Sequence, residues 1–484
     1  MKLDVLLCLL LSIGFLSGRT AENTFMLSGF VVDEAGKGIE GVVVNNGVSF
    51  TKTDRRGAWA LPTDTTASKF VAITTPREYR LPQRDGLATG FYKDIRHAVK
   101  SKENVFRLEK RKEQSDKFSY IAISDPQIRT ASDMKRWRTE TVPDIMATAG
   151  RLKASGDVVG MTLGDLVFDN MKMYGQYAAS LKNKSMTVFQ CIGNHDFERA
   201  YPDLQNSKIG AGEYAEMLYG KYFGPSNYSF NIGRVHVVTM KNINYKGMLS
   251  YEEEITESDL QWLRKDLSYV PKNMPVILNM HAPAWNKMET QDNVSNAKQL
   301  EEALSGHVVH VFCGHTHFFE NVEVSPRLYQ HNVGAACGAW WSGNVNRCGA
   351  PNGYMVVSVD GTSLKWAYKG TGLKASYQMK VYKPNQFRSQ PGYVVANVWD
   401  WDSHCRVVWY QDGKYMGRMQ QFEADDEAFL QTNPKKRQMC KTLHLFRAKP
   451  DAQYRELKVV FTNRFGQSFS HVVENRNNRP FLTD

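Results

Sequence analysis

The sequence predicts an α/β layered domain, with β-sheets flanked by helices, between an N-terminal β-sandwich and a C-terminal β-rich domain. Residues 25–108 consist of short strand-like runs separated by Gly and Asp turns. Residues 118–372 alternate apolar runs of strand length with helical patterns, which is typical of a layered α/β domain. After about residue 379 the strand pattern returns alone. A chain of 484 residues is also too long for one simple core.

The first 21 residues have the pattern of a secretory signal. Met1-Lys2 precedes the apolar stretch V-L-L-C-L-L-L-S-I-G-F-L-S-G, which ends in small residues and is too short to span a bilayer comfortably. We expect cleavage between Gly18 and Ala21 and a secreted or periplasmic protein with no transmembrane segment. The predicted boundaries are 1–21 for the signal peptide, 22–112 for the sandwich, 113–376 for the central domain and 377–484 for the C-terminal domain.

Charge and cysteine content narrow the classes of function. The net charge of +11 is spread along the chain without a Lys/Arg block, which suits an anionic substrate or surface, and no nucleic-acid-binding motif is present. Six cysteines beyond Cys8 are too sparse for a disulfide framework. We also expect the protein to be a monomer. Cys191 and Cys313 are predicted to be buried thiols. Two pairings stay open from sequence, Cys337 with Cys348 and Cys405 with Cys440.

The elements follow in chain order. G-F-V-V-D, G-V-V-V-N and A-W-A-L-P supply sandwich strands, and a charged linker spans residues 109–117. In the central domain, residues 134–152 and 256–267 have helical patterns, the second with a capping box from Thr256 and Asp259. In the C-terminal domain, Asp412-Gly413 predicts a hairpin. The Trp-rich runs W-D-W-D and V-V-W-Y form either a carbohydrate platform or, as we favour, a sandwich core.

Five strand-like runs of the central domain end in polar residues. Because the carboxyl ends of parallel strands form one crevice, these residues should meet at one rim. His315 and His317 should also face the same side if their segment is extended. Each motif alone has an ordinary explanation as a turn, a helix cap or a buried histidine, but five in this order predict a metal centre. The residues are Asp125, Gln127, Asp165, Asn194, His195, Asp196, His281, His315 and His317.

This order of motifs resembles the calcineurin-like metallophosphoesterase family. The family pattern is D-x-H, G-D, G-N-H-[DE], a later His and G-H-x-H, and the chain has D-P-Q, G-D-L-V-F-D, G-N-H-D, H-A-P and G-H-T-H. The resemblance covers about the middle half of the chain. The flanking regions resemble a bacterial secreted multidomain branch of the family, with a regulatory-like sandwich before the catalytic domain and a β domain after it.

The resemblance implies two divalent metal ions with Asp165 as their bridge. Two dications in one pocket repel each other, so a shared carboxylate is needed. Mixed N and O ligands suit Mn, Fe or Zn, and Mn is favoured because Gln127 stands where the family usually has a histidine. Ion one would be held by Asp125, Gln127, Asp165 and His317, and ion two by Asp165, Asn194, His281 and His315.

The implied reaction is hydrolysis of a phosphomonoester or phosphodiester by a hydroxide that bridges the two metals. His195 would bind no metal and would act as a general acid or stabilise the phosphate, with Asp169 as its candidate partner. The alternative is a non-catalytic envelope or glycan-binding protein with a structural metal site. A structural site is closed, whereas His195 is predicted to be a spare group at an open site.

Candidate substrate-binding residues lie close to these motifs in sequence. Paired aromatics could stack on a sugar, a base or a lipid headgroup, or one of them could pack into the core beneath its loop. We expect a phosphorylated small molecule, a lipid headgroup or a glycan as substrate. Arg199, Arg347 and Lys287 could hold a second phosphate, although we favour ordinary surface charge for each. The candidates are Trp285, Trp340, Trp341 and Arg199.

Overall fold

The structure, a computed structural model, describes residues 24–101, 104–198, 211–435 and 441–475. The predicted signal peptide, Arg199 and Cys440 lie outside these residues, and the predictions made for them stay predictions. Within the described ranges, no helix combines the length and the apolar character needed to cross a membrane.

The N-terminal region is a sandwich of a three-stranded and a four-stranded sheet, in the orders β4-β1-β9 and β3-β2-β5-β8. Side chains alternate along β4, so that Trp59 and Leu61 point into the sandwich while Ala60 faces solvent. The elements are β1 (Thr24–Asp33), β2 (Val43–Asn45), β3 (Phe50–Lys52), β4 (Ala58–Asp64), β5 (Phe70–Ile73), β6 (Gln83–Arg84), β7 (Leu87–Ala88), β8 (Tyr92–Asp94), α1 (Ile95–Ala98) and β9 (Asn104–Leu108).

Within its described residues, the central region has thirteen strands and seven α-helices. The strands are β10 (Lys117–Ile123), β11 (Asp157–Leu163), β12 (Thr187–Cys191), β13 (Tyr228–Ile232), β14 (Val235–Thr239), β15 (Ile243–Gly247), β16 (Ser250–Glu253), β17 (Val276–Asn279), β18 (Val309–Cys313), β19 (Glu320–Ser325), β20 (Leu328–Asn332), β21 (Gly353–Asp360) and β22 (Ser363–Gly370). The helices are α2 (Ala131–Arg136), α3 (Val142–Lys153), α4 (Tyr174–Ser180), α5 (Ala211–Ala215), α6 (Met217–Phe223), α7 (Glu257–Leu267) and α8 (Ala297–Leu304).

Two mixed sheets, in the orders β22-β21-β10-β11-β12-β7-β6 and β13-β14-β17-β18-β20-β19, pack face to face. Aromatic pairs join them: Phe189 stacks on Phe230 at 4.4 Å, and Tyr120 meets Phe312 at 5.4 Å between ring centroids. Helices cover the outer faces through a second apolar cluster that includes Trp137. The hairpin β6–β7, from the N-terminal region, extends the edge of the first sheet.

The helical predictions are confirmed with one refinement. Residues 131–153 form α2 and α3, joined by a π-helical turn at Trp137–Thr141. Thr256 caps α7, since its hydroxyl accepts a hydrogen bond from the Asp259 N–H at 3.3 Å. Short 3-10 turns cover Met171–Met173 and Asn194–Asp196.

The C-terminal region is a second sandwich, in the sheet orders β23-β24-β28-β27 and β26-β25-β29-β30. Asp412 and Gly413 form the predicted turn, both with positive φ. Trp409 lies in the core of this sandwich with Trp401 packed against it, which favours a Trp-rich core, whereas the buried Trp399 joins an apolar cluster of the central region. The elements are β23 (Met379–Tyr382), β24 (Val394–Val398), β25 (Arg406–Gln411), β26 (Lys414–Arg418), β27 (Gln420–Ala424), α9 (Glu427–Thr432), β28 (Thr442–Ala448), β29 (Glu456–Thr462) and β30 (Ser468–Glu474).

The predicted architecture of a layered α/β domain between two β domains is therefore confirmed, while the residue boundaries stay predictions. Cys191 and Cys313 are buried free thiols, as expected. Cys337 and Cys348 are also free, so the open question of their pairing is answered against a bridge. Both side chains point inwards instead: the Cys348 sulfur accepts a hydrogen bond from the Phe319 N–H.

Candidate metal centre

The strand ends of the two central sheets bring the predicted residues to one rim. Thirteen non-glycine residues in the described ranges have a left-handed backbone conformation. Eight of them are predicted site residues, with φ between 44° and 72°. This conformation is costly for most side chains and concentrates at functional sites. Here it turns the chain sharply after each strand. The eight are Asp125, Gln127, Asp165, Asp169, His315, His317, Trp340 and Trp341.

The H-T-H segment is not extended, so the expectation based on strand alternation is wrong. His315 has φ of 72° and His317 has φ of 56°, both outside the β region. The physical reason is that β18 ends at Cys313 and the chain bends immediately afterwards. The two rings consequently reach neighbouring points rather than the same point.

Two motif glycines are required because other chain segments approach them closely. A Cβ on Gly193 would lie 2.2 Å from Asp165 Oδ1, and a Cβ on Gly314 would lie 1.7 Å from Ser124 Oγ. A larger residue at Gly193 would push apart the loops that follow β11 and β12, and one at Gly314 would push apart the loops that follow β10 and β18. The glycines of G-N-H-D and G-H-T-H therefore allow the site to close.

Donor set one, consisting of Asp125, Gln127, Asp165 and His317, is fully buried. Asp125 Oδ1 lies 3.6 Å from His317 Nε2, and neither atom has a hydrogen-bond partner among the described residues. Burying such atoms without a partner is costly. A divalent cation fits between a carboxylate oxygen and an imidazole nitrogen that face each other without a shared hydrogen bond.

Gln127 connects donor set one to the shared carboxylate. Its side-chain Nε2 donates to Asp165 Oδ2 at 2.8 Å, and its backbone N–H donates to the Asp165 carbonyl at 2.8 Å. Coordination by Gln127 requires the amide to present Oε1, which is reached by rotating the side-chain amide through half a turn. The structure places the residue at the rim, and its role as a ligand stays a prediction.

Donor set two, consisting of Asp165, Asn194, His281 and His315, converges on His281 Nε2. That nitrogen lies 2.9 Å from Asn194 Oδ1, 3.3 Å from Asp165 Oδ1 and 3.2 Å from His315 Nδ1. Ligand atoms of Asp165, His281 and His315 all lie within 4.8 Å of one another. Two imidazoles, a carboxylate and an amide form a donor set suited to a borderline divalent metal.

Each of the three predicted histidine ligands has its second ring nitrogen occupied. His281 Nδ1 donates to the Leu163 carbonyl at 2.8 Å, and His317 Nδ1 donates to the Gly338 carbonyl at 2.6 Å. His315 Nε2 instead meets the Glu253 carboxylate at 3.1 Å. In each case this partner leaves the nitrogen that faces the donor set as the one that would bind a metal.

Asp165 has the geometry of a bridge, since Oδ2 faces donor set one and Oδ1 faces donor set two. Burial alone would raise its pKa, but the charges of His281 and His195 outweigh burial and hold the pKa well below the usual range. The carboxylate is thus ionised, as a bridge between two cations requires.

His195 lies beside both donor sets without belonging to either. Its Nδ1 lies 3.0 Å from Asp169 Oδ1, its ring stacks on Phe168 with centroids 3.8 Å apart, and its backbone N–H donates to Asp165 Oδ1 at 2.9 Å. Burial acts to lower the pKa of His195, yet the charges of Asp165 and Asp169 raise it above the ordinary value. The side chain is 24% exposed, so it can reach a ligand.

Two side chains that brace these loops had no role assigned from sequence. Asp196 accepts hydrogen bonds from the backbone N–H groups of Leu166 and Gly193, so that it ties the G-D loop to the G-N-H-D loop. Burial and the charge of Asp165 raise the pKa of Asp196 to about 7. Asn242 accepts from the N–H of His281 at 3.1 Å. The motif includes Asp196, but nothing in the sequence distinguishes Asn242.

Arg347 is buried, so the expectation of surface charge there is wrong. Its side chain is 7% exposed, and its guanidinium donates to the Thr316 carbonyl at 3.0 Å and to Glu289 Oε1 at 2.9 Å. Its backbone N–H also donates to the His317 carbonyl at 2.9 Å. The Gly-rich loop of residues 334–349, which carries Arg347, therefore folds back over the H-T-H segment and holds it. Lys287 is exposed, as expected.

The predicted aromatic residues have different surroundings. Trp340 stacks on His317 with centroids 4.9 Å apart, and Trp341 donates from Nε1 to the Pro126 carbonyl at 3.0 Å. Trp285 and Trp341 both pack partly against the core of the central domain. Trp340 and Trp341 thus lie at donor set one, and contact of any of the three with substrate stays a prediction.

Three protein-family models match successive parts of the chain. They are the N terminal of calcineurin-like phosphoesterase at residues 26–111, calcineurin-like phosphoesterase at 118–319, and the C terminal of calcineurin-like phosphoesterase at 330–469. No curated protein matches.

Solved structures with a similar fold include three phosphoester-cleaving enzymes. A dimetal phosphatase from Danio rerio is 14% identical, with TM-score 0.38, over 52% of this chain and 96% of that one. A purple acid phosphatase from yellow lupin is 12% identical, with TM-score 0.38, over 72% and 70%. A 5'-nucleotidase from Candida albicans is 10% identical, with TM-score 0.33, over 53% and 51%.

The family matches follow one another along the chain and include every predicted metal ligand, since the phosphoesterase match ends at residue 319, beyond His317. The matches on either side take in both β domains. The chain therefore belongs to the calcineurin-like phosphoesterase family and is a metal-dependent phosphoric ester hydrolase.

Proposed function

We propose that the protein hydrolyses a phosphomonoester or phosphodiester with two divalent ions, manganese favoured, held by the two donor sets. The observation that carries the proposal is the position of His195. It lies outside both donor sets, pairs with Asp169 at 3.0 Å, and contacts the shared carboxylate of Asp165 through its backbone N–H. A purely structural metal site has no use for such a residue.

The two donor sets would fix the ions at the rim where the loops meet. When bound, divalent ions supply an activated water at neutral pH and neutralise charge on the phosphoryl group. Asp165 compensates the repulsion between the ions, because one of its oxygens faces each donor set. The carbonyls of Leu163 and Gly338 hold the rings of His281 and His317 in the required tautomers.

His195 would act on the leaving group or on the phosphate. Its Nδ1 is held by Asp169, so Nε2 is the ring nitrogen left for a substrate. The charges of Asp165 and Asp169 raise the pKa of His195 and so favour the protonated ring. From this position Nε2 can donate the proton to a departing alkoxide or stabilise negative charge on the phosphoryl oxygens. Asp169 keeps the imidazole oriented through either step.

The substrate would be a phosphorylated small molecule, a lipid headgroup or a glycan. Trp340, which lies against His317, offers an aromatic face at the site, and the net charge of +11 favours anionic ligands. The choice among these substrates requires assay.

Metal dependence and a substrate screen test the proposal. Chelation should abolish hydrolysis, and Mn²⁺ should restore it better than Zn²⁺. Rates on p-nitrophenyl phosphate and bis-p-nitrophenyl phosphate decide between monoester and diester preference. Full activity in excess chelator, with no metal by elemental analysis, would contradict the proposal. Restoration by Zn²⁺ alone would contradict only the preference for manganese.

We also propose that the protein is exported, on the basis of residues 1–21. Fractionation of the producing cells should recover a shortened chain outside the cytoplasm, with a new N-terminus between Gly18 and Ala21 by mass spectrometry. An uncleaved chain confined to the cytoplasm would overturn this part of the proposal.

A further inference from the structure

The hairpin formed by β15 and β16 places one carboxylate against a predicted metal ligand. Glu253, the last residue of β16, has its Oε1 3.1 Å from His315 Nε2. The Glu253 side chain is 20% exposed and the His315 side chain is 9% exposed, so the pair is largely shielded from water. The other ring nitrogen, His315 Nδ1, lies 3.2 Å from His281 Nε2, within donor set two.

His315 differs in this respect from the other two histidine ligands. His281 and His317 are oriented by backbone carbonyls, which no substitution can remove. His315 is oriented by a side chain, and that side chain carries a negative charge. A carboxylate behind a metal-bound imidazole fixes its tautomer and makes it a stronger ligand, and loss of such a partner weakens metal binding or activity by roughly 10- to 100-fold.

Glu253 is itself held in place on both sides. Its backbone carbonyl accepts from the Ser295 N–H at 2.8 Å, and Ile243 pairs with it across the hairpin. Two residues further on, the Ile255 N–H donates to Asn296 Oδ1 at 3.1 Å. The hairpin is thus attached to the segment before α8, which gives the carboxylate a fixed position rather than that of a surface side chain.

We propose that Glu253 is a positioning residue that holds His315 with Nδ1 towards donor set two and so determines the affinity for the second metal ion. This proposal rests on the proposed function, because it assumes that His315 is a metal ligand. Asp292 belongs to the same group of side chains, with a carboxylate oxygen within 4.8 Å of the Glu253 and His315 ligand atoms. In a competing arrangement, Glu253 and Asp292 would themselves bind an additional ion. The number of metal ions bound per chain distinguishes the two arrangements.

Metal titration of the full-length chain tests the proposal without relying on activity. Apo protein is titrated with Mn²⁺, bound metal is counted by elemental analysis, and electron paramagnetic resonance distinguishes coupled pairs of Mn²⁺ from single ions. The wild type should bind two ions with a coupled spectrum. Glu253→Ala should retain the first ion, bind the second roughly 10- to 100-fold more weakly and give a single-ion spectrum at a Mn²⁺ concentration at which the wild type gives the coupled one.

Two further variants make the result specific. Glu253→Gln keeps an acceptor but loses the charge, and because charge-assisted hydrogen bonds are about twice as strong as neutral ones, it should weaken the second ion by about 3- to 10-fold. This variant decides the outcome if Glu253→Ala does not fold. Glu252→Ala is the matched control, since Glu252 is the preceding residue of β16 and its carboxylate, 61% exposed, pairs with Lys246. It should bind both ions as the wild type does.

The outcomes separate this inference from the function it rests on. Two ions bound with unchanged affinity by Glu253→Ala or Glu253→Gln would overturn the positioning role and leave the proposed function standing. A wild type that binds three ions, with Glu253→Ala binding two, would overturn it by making Glu253 a ligand. A wild type that binds no ion would overturn both.

Discussion

The two donor sets share Asp165 but handle their polar atoms differently. In donor set one, Asp125 Oδ1 and His317 Nε2 face each other at 3.6 Å, and neither has a hydrogen-bond partner within the described part of the chain. In donor set two, His281 Nε2 lies within 3.3 Å of three potential hydrogen-bonding atoms, one each on Asp165, Asn194 and His315. Donor set two can therefore satisfy itself with protons and hydrogen bonds, whereas donor set one depends on a cation.

The ionisation of the histidines follows the same division. Burial lowers the pKa of His317, so its ring is neutral and offers a lone pair at Nε2. For His281, burial acts in the same direction, but the charge of Asp165 and the hydrogen bond to it raise the pKa to about 10. A proton on His281 therefore competes with the cation at donor set two, whereas no such proton opposes the cation at donor set one. We therefore expect ion one to contribute more to the stability of the fold and ion two to be the more readily lost.

The largest expected effect is the loss of both ions on replacing the residue that the donor sets share. Asp165→Asn removes the charge that compensates two cations while keeping the shape of the side chain. We expect metal content to fall for both sites and hydrolysis to drop to background. Elemental analysis and a p-nitrophenyl phosphate assay provide the measurement, and metal content near two per chain with a near-normal rate would refute the bridging role.

The next largest effect, on the rate of hydrolysis, is expected from replacing His195, which belongs to neither donor set. His195→Ala should keep two metal ions and lower the rate by roughly 10²–10⁴-fold, the range for a general acid or base. The deficit should shrink for aryl phosphates, because p-nitrophenolate leaves with little protonation while an alkoxide needs much.

The control for this variant is His404→Ala. His404 pairs with Glu323 at 2.8 Å, as His195 pairs with Asp169, but its side chain is 53% exposed and lies in the C-terminal domain. Its loss should leave the rate unchanged. Loss of metal from His195→Ala would make His195 a ligand, and an equal deficit on alkyl and aryl substrates would favour phosphate stabilisation over acid catalysis.

Much of this arrangement was predictable from sequence, because the ligands are carried by short motifs at strand ends. Asp165 and His281 are examples: each follows an apolar run directly, and parallel strands bring such positions to one rim. Partners distant in sequence were not predictable. Glu253 lies 62 residues before His315, on a hairpin whose position depends on packing. The burial of Arg347 likewise depends on how its loop folds back, which no local pattern encodes.

Metal removal should lower stability through donor set one. A ligand present at a hundred times its dissociation constant stabilises the folded state by about 2.7 kcal/mol. The unpartnered buried carboxylate oxygen and imidazole nitrogen favour tight binding at donor set one, because the ion satisfies both atoms. We expect chelation to lower the melting temperature of the central domain by a few degrees, measured by calorimetry, and Mn²⁺ to restore it. Asp125→Ala should abolish most of this metal-dependent shift, whereas Asn194→Ala should retain most of it. Equal loss of the shift in both variants would refute the difference between the donor sets.

The smallest effect concerns metal preference at Gln127, the one departure from the family pattern within donor set one. Replacement by histidine is compatible with the backbone, because φ of 44° is left-handed and histidine is among the residues that tolerate this region. An imidazole favours zinc, whereas an amide oxygen favours manganese or magnesium. Gln127→His should therefore shift the ratio of Mn²⁺ to Zn²⁺ affinity towards Zn²⁺ by about tenfold, which corresponds to about 1.4 kcal/mol. Competitive loading followed by elemental analysis measures the ratio, and the second ion serves as an internal reference because donor set two is unchanged. If the ratio does not move while Asp125→Ala still loses ion one, Gln127 is not a ligand and serves only to hold Asp165 through its amide.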